Sequence, residues 1–132
     1  MRRGDFEDLV QRYLDIELHS RGFRLAPQPP VDWEDEKPQV VYEANPDDFG
    51  ERYPALDVRA RSNAPCVDLW VHFDPTTRRI WSELEGTSIE SLVERFGVSD
   101  HAEPAPKSTD TEAQLKSLAR QIGNVLDAAR RS

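Results

Sequence analysis

The residues best suited to chemistry in this sequence are a histidine and two aspartates in one strand-like segment. His72 stands between Asp68 and Asp74 in the stretch VDLWVHFD, and residues two apart on a strand point to the same side of a sheet. A histidine flanked by carboxylates could hold a metal ion or form an acid/base pair. These side chains need not converge on one point, however, and no second strong ligand is identifiable. The sequence therefore predicts no metal site and no catalytic residue here.

The remaining reactive residues are isolated from one another. Cys66 is the only cysteine, so no disulfide forms within the chain, and a lone cysteine beside a strand is more often a small apolar group than a nucleophile. Asp32, Glu34 and Glu36 alternate as at the start of a calcium loop, but Lys37 replaces the glycine that such a loop needs. Motifs of nucleotide-binding, serine hydrolase, metalloprotease and redox sites are missing from the sequence. We expect neither an enzyme nor a bound cofactor.

Negative charge is concentrated in one part of the chain. The sequence carries a net charge of −8, and residues 32–57 hold nine acids and two bases, which is −7 of that total. Nucleic-acid binding requires lysine and arginine gathered on one surface, so the charge argues against it. It favours a basic protein partner, which acidic residues attract and aromatic residues anchor. The aromatic residues of this window are Trp33, Tyr42, Phe49 and Tyr53.

Length and composition are typical of one globular domain spanning residues 1–132. Hydrophobic residues make up 37% of the chain and charged residues 32%, which is too apolar for general disorder. No apolar stretch approaches the roughly 20 residues needed to cross a bilayer, and the first residues do not resemble a signal peptide. We therefore expect a cytoplasmic protein with no membrane partner.

The spacing of apolar residues predicts the elements that position these side chains. An apolar helical face runs along residues 4–19 and ends at Gly22. Residues 26–38 read as an acidic, proline-rich loop, and residues 98–108 as a linker. Alternating or β-branched segments predict five strands: Phe23–Leu25, Gln39–Ala44, residues 56–60, Val67–Phe73 and Ile80–Leu84.

Capping signals predict three further helices. Asn45 and Pro46 begin a short one that Pro54 stops. Residues 87–90 and 109–112 have capping-box spacing and begin two C-terminal helices. The order predicts an α+β fold, in which an antiparallel β-meander of four to five strands, an N-terminal helix and two C-terminal helices form a two-layer sandwich. We expect the last helix to pack on its own sheet rather than on a second copy, although both a monomer and a homodimer stay open.

The hairpin of Val67–Phe73 and Ile80–Leu84 is predicted to have one apolar and one polar face. A four-residue loop at 74–77 would keep the apolar residues together. This register sets Val71 opposite Ile80, Trp70 opposite Trp81, His72 opposite Arg79 and Asp68 opposite Glu83. The tryptophan pair either only stabilises the sheet or belongs to a binding surface. Because the carboxylates are hard to bury unpaired, we expect a partly exposed aromatic and acidic face.

The residues predicted to contact a partner are the acids and aromatic residues of three segments. The first is the acidic loop, the second is the short helix after Asn45, and the third is the polar face of the hairpin. They are Trp33, Glu34, Asp35, Glu36, Asp47, Asp48, Glu51, Asp68, Trp70, His72, Trp81 and Glu83.

The chain resembles the small acidic immunity proteins of bacterial polymorphic toxin systems. The resemblance lies in size, architecture and charge: a helix ending HSRGFRL, the acidic WEDE loop, the hairpin DLWVHFDPTTRRIW and a trailing helix. It implies a non-enzymatic inhibitor that occludes the active site of a basic toxin. Two alternatives remain. One is a ligand-binding domain or enzyme with a concave pocket formed by Trp70, His72 and Trp81, and the other is an adaptor or chaperone-like dimer that binds through the last helix.

Overall fold

A computed structural model describes residues 3–26, 38–56, 66–98 and 110–130 of the chain. Four helices and five strands lie in these ranges, and they confirm the predicted α+β class with one N-terminal and two C-terminal helices. Among the described residues, none of the helices combines the length and apolar character needed to cross a membrane. In chain order the elements are α1 (Arg3–His19), β1 (Phe23–Leu25), β2 (Gln39–Ala44), α2 (Pro46–Arg52), β3 (Val67–Phe73), β4 (Ile80–Leu84), β5 (Thr87–Ser88), α3 (Ile89–Phe96) and α4 (Thr111–Ala129).

The five strands form one antiparallel meander, in which each strand pairs with the next along the chain. The longest pairing joins β2 to β3, from Gln39 opposite His72 to Ala44 opposite Val67. The fifth strand differs from the one expected at residues 56–60. Leu56 ends a short 3-10 turn, Pro54–Leu56, and residues 57–60 lie outside the described ranges. The fifth strand is β5, which pairs with the end of β4.

One face of the sheet, called here the inner face, packs against the helices. Its side chains alternate with polar ones along each strand, as the pattern predicts. The Phe6 ring of α1 lies 5.7 Å from the Phe73 ring of β3. Buried residues of α4, including Leu115 and Val125, belong to the same core. The apolar face of α4 therefore packs within its own chain.

The N-caps of the two C-terminal helices lie one residue later than the first threonine of each capping box. Thr87 pairs with Leu84 in β5, so the N-cap of α3 is Ser88, whose hydroxyl oxygen accepts a hydrogen bond from the amide of Ser91 at 3.2 Å. The N-cap of α4 is Asp110, whose carboxylate accepts a hydrogen bond from the amide of Glu112 at 3.0 Å. The expected stop at Gly97 is confirmed, because this residue adopts the left-handed conformation with a φ of 65°.

The predicted register of the hairpin is wrong by two residues. Val71 lies opposite Ser82, His72 opposite Trp81 and Trp70 opposite Glu83. The cause is the loop. The amide of Asp74 donates a hydrogen bond to the carbonyl of Arg79 at 2.9 Å, so the four loop residues are 75–78 rather than 74–77. Because two residues are one full side-chain period, the shift leaves every side chain on its predicted face.

A glutamine of α4 covers the exposed edge of β4. The Oε1 atom of Gln114 accepts a hydrogen bond from the amide of Ile80 at 2.8 Å, and its Nε2 atom donates one to the carbonyl of Arg78 at 2.9 Å. The residue is only 8% exposed. Because β5 pairs only with Glu83 and Leu84, Gln114 covers the part of this edge that β5 does not reach and satisfies both backbone groups.

Replacing Gln114 with leucine is expected to lower the free energy of unfolding by about 1–3 kcal/mol, because an amide and a carbonyl lose their partners near the core. Urea unfolding monitored by circular dichroism measures the change. The control is Gln121→Leu on the same helix, where a partly exposed glutamine is replaced. Equal losses in the two variants would show that the edge bonds add nothing to stability.

Candidate functional site

The face of the sheet opposite the helices, called here the outer face, carries a mixture of aromatic and charged side chains. The buried residues of all four described helices belong to one core with the inner face. These helices therefore pack on the inner face and not on the outer face. The strand alternation places the following residues on it: Arg24, Gln39, Val41, Glu43, Asp68, Trp70, His72, Trp81 and Glu83.

Three rings, those of Trp70, His72 and Trp81, contact one another through the histidine on the outer face and are called here the aromatic stack. The His72 ring is near-parallel to two indoles, with its centroid 5.9 Å from that of Trp70 at an interplanar angle of 3° and 5.0 Å from that of Trp81 at an angle of 20°. The observed register explains this order. Trp70 and His72 are two apart on β3, and Trp81 lies directly opposite His72 on β4. The two tryptophans therefore meet through the histidine and not as the directly opposed pair that we predicted.

The stack fixes the position of a carboxylate. Glu83 lies opposite Trp70 on β4, and its Oε1 atom is 3.3 Å from the Nε2 atom of His72. The histidine thus contacts two indoles and, through one nitrogen, a carboxylate within the sheet. Nowhere in the described ranges do three histidine, cysteine, aspartate or glutamate side chains gather as a metal site would require. These contacts are suited to holding a rigid surface.

Further carboxylates lie near Asp68, and two of them, Glu43 and Glu85, are not among the predicted contact residues, although alternation along the hairpin already places Glu85 on its polar face. Glu43 pairs with Arg24 of β1 at 3.3 Å and lies opposite Asp68. Glu85 accepts a hydrogen bond from the Asp68 amide at 2.8 Å. The alternation within QVVYEA could have placed Glu43 on this face. The position of Glu85 depends on a turn conformation with a φ of 50°, which its residue type does not signal.

The outer face carries an unfavourable charge at Asp68. Partial burial, followed by the nearby charge of Glu43, raises the pKa of this carboxyl above its usual range. The folded protein therefore holds the proton of Asp68 more tightly than the unfolded chain does. Its contribution to stability is fully present below the unfolded pKa and is lost as pH rises through the folded pKa.

The Asp68→Asn variant should consequently gain stability relative to the original protein as pH rises. We expect a gain of about a few tenths of a kcal/mol at neutral pH, because solvent screens a partly buried carboxylate, and no gain well below the usual carboxyl pKa of about 3.9, where the carboxyl is protonated in both the folded and the unfolded protein. Urea unfolding of both proteins across this pH range measures the difference. A gain of the same size at every pH would mean that ionisation of Asp68 is not the cause.

The acids of α2 lie apart from the aromatic stack. Asn45 caps this helix by accepting hydrogen bonds from the amides of Asp47 and Asp48, and Asp48 pairs with Arg52 at 3.0 Å. Glu51 is exposed on the same helix. The helix is attached to the inner face through Phe49, whose ring lies 5.7 Å from that of Phe23. The acidic residues predicted on α2 therefore do not lie beside those predicted on the outer face.

The aromatic residues expected to anchor a partner in the acidic window are mostly core residues. Tyr42, Phe49 and Tyr53 are each almost completely buried, so the expectation that they form part of a contact surface is wrong. Tyr42 is on the inner face of β2, and Phe49 and Tyr53 form the buried side of α2. The four predicted contact residues of the acidic loop, Trp33, Glu34, Asp35 and Glu36, lie outside the described residues.

A groove borders the aromatic stack at the edge of β4. It has a volume of about 640 Å³ and runs between β4, the start of α3 and one side of α4. Of the three stack residues, only Trp81 lines it. This groove is therefore not the concave pocket of Trp70, His72 and Trp81 that the ligand-binding alternative predicts. The stack presents its surface beside the groove instead.

Comparisons of the chain with family models, with curated proteins and with solved structures found no match. What the protein binds must accordingly be inferred from the chemistry of its own surface. That surface combines three stacked rings, a carboxylate held by one of them and a border of further acids. Such a combination is suited to binding a cationic group.

Proposed function

We propose that the protein is a non-enzymatic, protein-binding inhibitor whose outer face contacts a basic partner. The observation that carries the proposal is the exposure of Trp81. This indole is 45% exposed although it belongs to an ordered stack. A tryptophan held in one conformation loses little entropy on binding and buries a large area, which is why tryptophan is frequent among the residues that dominate binding energy.

The charge around the stack indicates the kind of partner. Glu43, Asp68 and Glu83 lie on the same face as Trp81, and the chain as a whole is strongly acidic. Such a surface attracts basic proteins and repels acidic ones, which affects the association rate and the choice of partner more than the final affinity. The acids of α2 add to the long-range attraction without contributing to the contact.

The partner that best fits this chemistry is a basic bacterial toxin, which the protein would bind and neutralise in the cytoplasm. A small acidic protein with a rigid aromatic surface can block an active site without any chemistry of its own. The same features underlie the resemblance to immunity proteins. An adaptor that dimerises through α4 is less well supported, because the apolar residues of that helix pack within the chain.

Capture with matched charge variants tests the contact surface. The full chain is immobilised, and proteins retained from the native host are compared with those retained by Glu83→Lys, on the outer face, and by Glu51→Lys, on α2. Both variants change the charge by the same amount. We expect a basic protein to bind the original chain and Glu51→Lys but not Glu83→Lys. Equal binding to all three, or loss only with Glu51→Lys, would exclude the outer face.

Coexpression tests the inhibitory role. The captured partner is expressed in a bacterium alone, with the original chain and with Glu83→Lys. We expect the partner alone to stop growth, the original chain to restore it and the variant to fail. A partner that is harmless on its own would exclude the toxin assignment while leaving protein binding in place.

A further inference from the structure

We infer that the outer face binds an arginine side chain of the partner, with the guanidinium stacked on Trp81 and paired with Glu83. The inference rests on the proposed function, because it specifies which group of a basic partner the surface recognises. It follows from the arrangement of the aromatic stack and of the carboxylate beside it.

The indole of Trp81 is suited to a cation. Its ring centroid lies 5.0 Å from that of His72, at an interplanar angle of 20°, yet the residue keeps 45% of its surface exposed. A cation is attracted to an aromatic face within about 6 Å of the ring centroid, and tryptophan is the best acceptor. The cation–π contacts found among the described residues involve the rings of Phe96 and Tyr13, so none of those contacts occupies Trp81.

The carboxylate of Glu83 lies beside this indole. Trp81 and Glu83 are two residues apart on β4 and share the outer face, which separates their Cα atoms by about 6.6 Å. A guanidinium lying on the indole is therefore within reach of the carboxylate. His72 holds one carboxylate oxygen, Oε1, and so orients the group on the sheet. The side chain of Glu83 is 37% exposed, which leaves it accessible to a partner.

Arginine fits this pair better than lysine does. A guanidinium is flat, so it can stack on an indole and donate hydrogen bonds to a carboxylate at the same time, and it is less strongly hydrated than an ammonium. Arginine also pairs with carboxylates through two parallel hydrogen bonds. The strand pattern places Arg24 and Arg79 on the side of the outer face. Arg24 already pairs with Glu43, and the cation–π contacts found among the described residues do not join Arg79 to Trp81. The Trp81 ring is therefore open to a cation from a partner.

Two peptide probes test the inference directly and do not require the partner protein. Both are short glycine and serine peptides of equal length and charge, one with two arginines and one with two lysines. Each is titrated into the full chain while the indole N–H signals of the tryptophans are followed by NMR. We expect the arginine peptide to bind about two- to fivefold more tightly and to shift the Trp81 signal most.

Two substitutions locate the site. Glu83→Gln and Trp81→Leu should each abolish the preference for arginine, while Asp47→Asn on α2 should leave it unchanged. The spectra of the variants report whether they are folded, and the comparison of the two peptides on the unchanged protein requires no variant at all. Equal affinity for the two peptides, or a preference that survives both outer-face substitutions, would overturn the inference.

The outcomes separate the inference from the proposed function. If a basic partner is captured through the outer face but the protein shows no preference for arginine, the inference fails and the proposed function stands. If the protein prefers arginine at Trp81 but captures no basic partner, the proposed function fails and the arginine site stands.

Discussion

Replacing Phe6 with alanine is expected to lower the free energy of unfolding by about 3–5 kcal/mol. Phe6 has no exposed surface, and its ring contacts Phe73 across the boundary between α1 and the sheet. The substitution removes apolar surface from the core and leaves a cavity that helix and strand can fill only in part. A domain of this size has a total stability of roughly 5–15 kcal/mol, so the variant should be close to unfolding.

The matched control is Trp81→Ala on the other face of the same sheet. It deletes an even larger side chain, yet we expect a loss below about 1 kcal/mol, because an exposed cross-strand contact contributes only that much. Urea unfolding of both variants beside the original protein gives the two values. A loss at Trp81 as large as that at Phe6 would mean that the outer face is a second core layer rather than a surface.

The faces of the sheet could be predicted because they depend only on alternation. Val67, Leu69, Val71 and Phe73 are all buried as the pattern requires, and any register that keeps them together gives the same inner face. The helices followed equally from local signals, such as the cap at Asn45 and the left-handed Gly97. Side-chain alternation in strands and capping of helices depend on residues close together in the chain, so both can be predicted from the sequence.

The register could not be predicted, since it depends on a turn that residue types do not specify. Arg78 adopts a left-handed conformation with a φ of 59°, which is uncommon for a residue other than glycine or asparagine. The amide of Arg78 donates a hydrogen bond to the Asp74 carbonyl at 2.7 Å, and the Asp74 side chain accepts one from the amide of Thr76 at 2.8 Å. These bonds place the loop one residue later than expected and so bring His72 opposite Trp81.

In the acidic window, residues 32–57, the charge along the chain does not predict which residues share a surface. Its aromatic residues were predicted to lie beside its acids on one surface, but the spacing of Phe49 and Tyr53 at i and i+4 is that of one buried helical side. The sequence therefore contains a signal of burial for these two residues, which the charge of the window does not reveal. The outer-face residue Glu43 was likewise part of the window, and only the pairing of β2 with β3 shows that it faces Asp68.

Replacing Trp81 is expected to cause a large loss of affinity for the partner, as replacing Phe6 causes a large loss of stability. For Trp81→Ala we expect the dissociation constant of the captured partner to rise by about 30-fold or more, which corresponds to about 2 kcal/mol. The reason is that Trp81 is the exposed large hydrophobic residue found on the outer face, and its removal deletes contact area that the neighbouring carboxylates cannot replace. Isothermal titration calorimetry with the purified partner measures the effect.

Ile16 supplies the matched control for affinity. It is the other large hydrophobic residue found exposed in the described ranges, at 80%, and it lies on α1 rather than on the sheet. If exposure of an apolar side chain were enough to make a contact, Ile16→Ala would weaken binding as much as Trp81→Ala does. We expect no change at Ile16, because no stacked partner rings or carboxylate accompany it among the contacts described. Loss of affinity only at Trp81, together with loss of stability only at Phe6, would assign binding to the outer face and folding to the inner one.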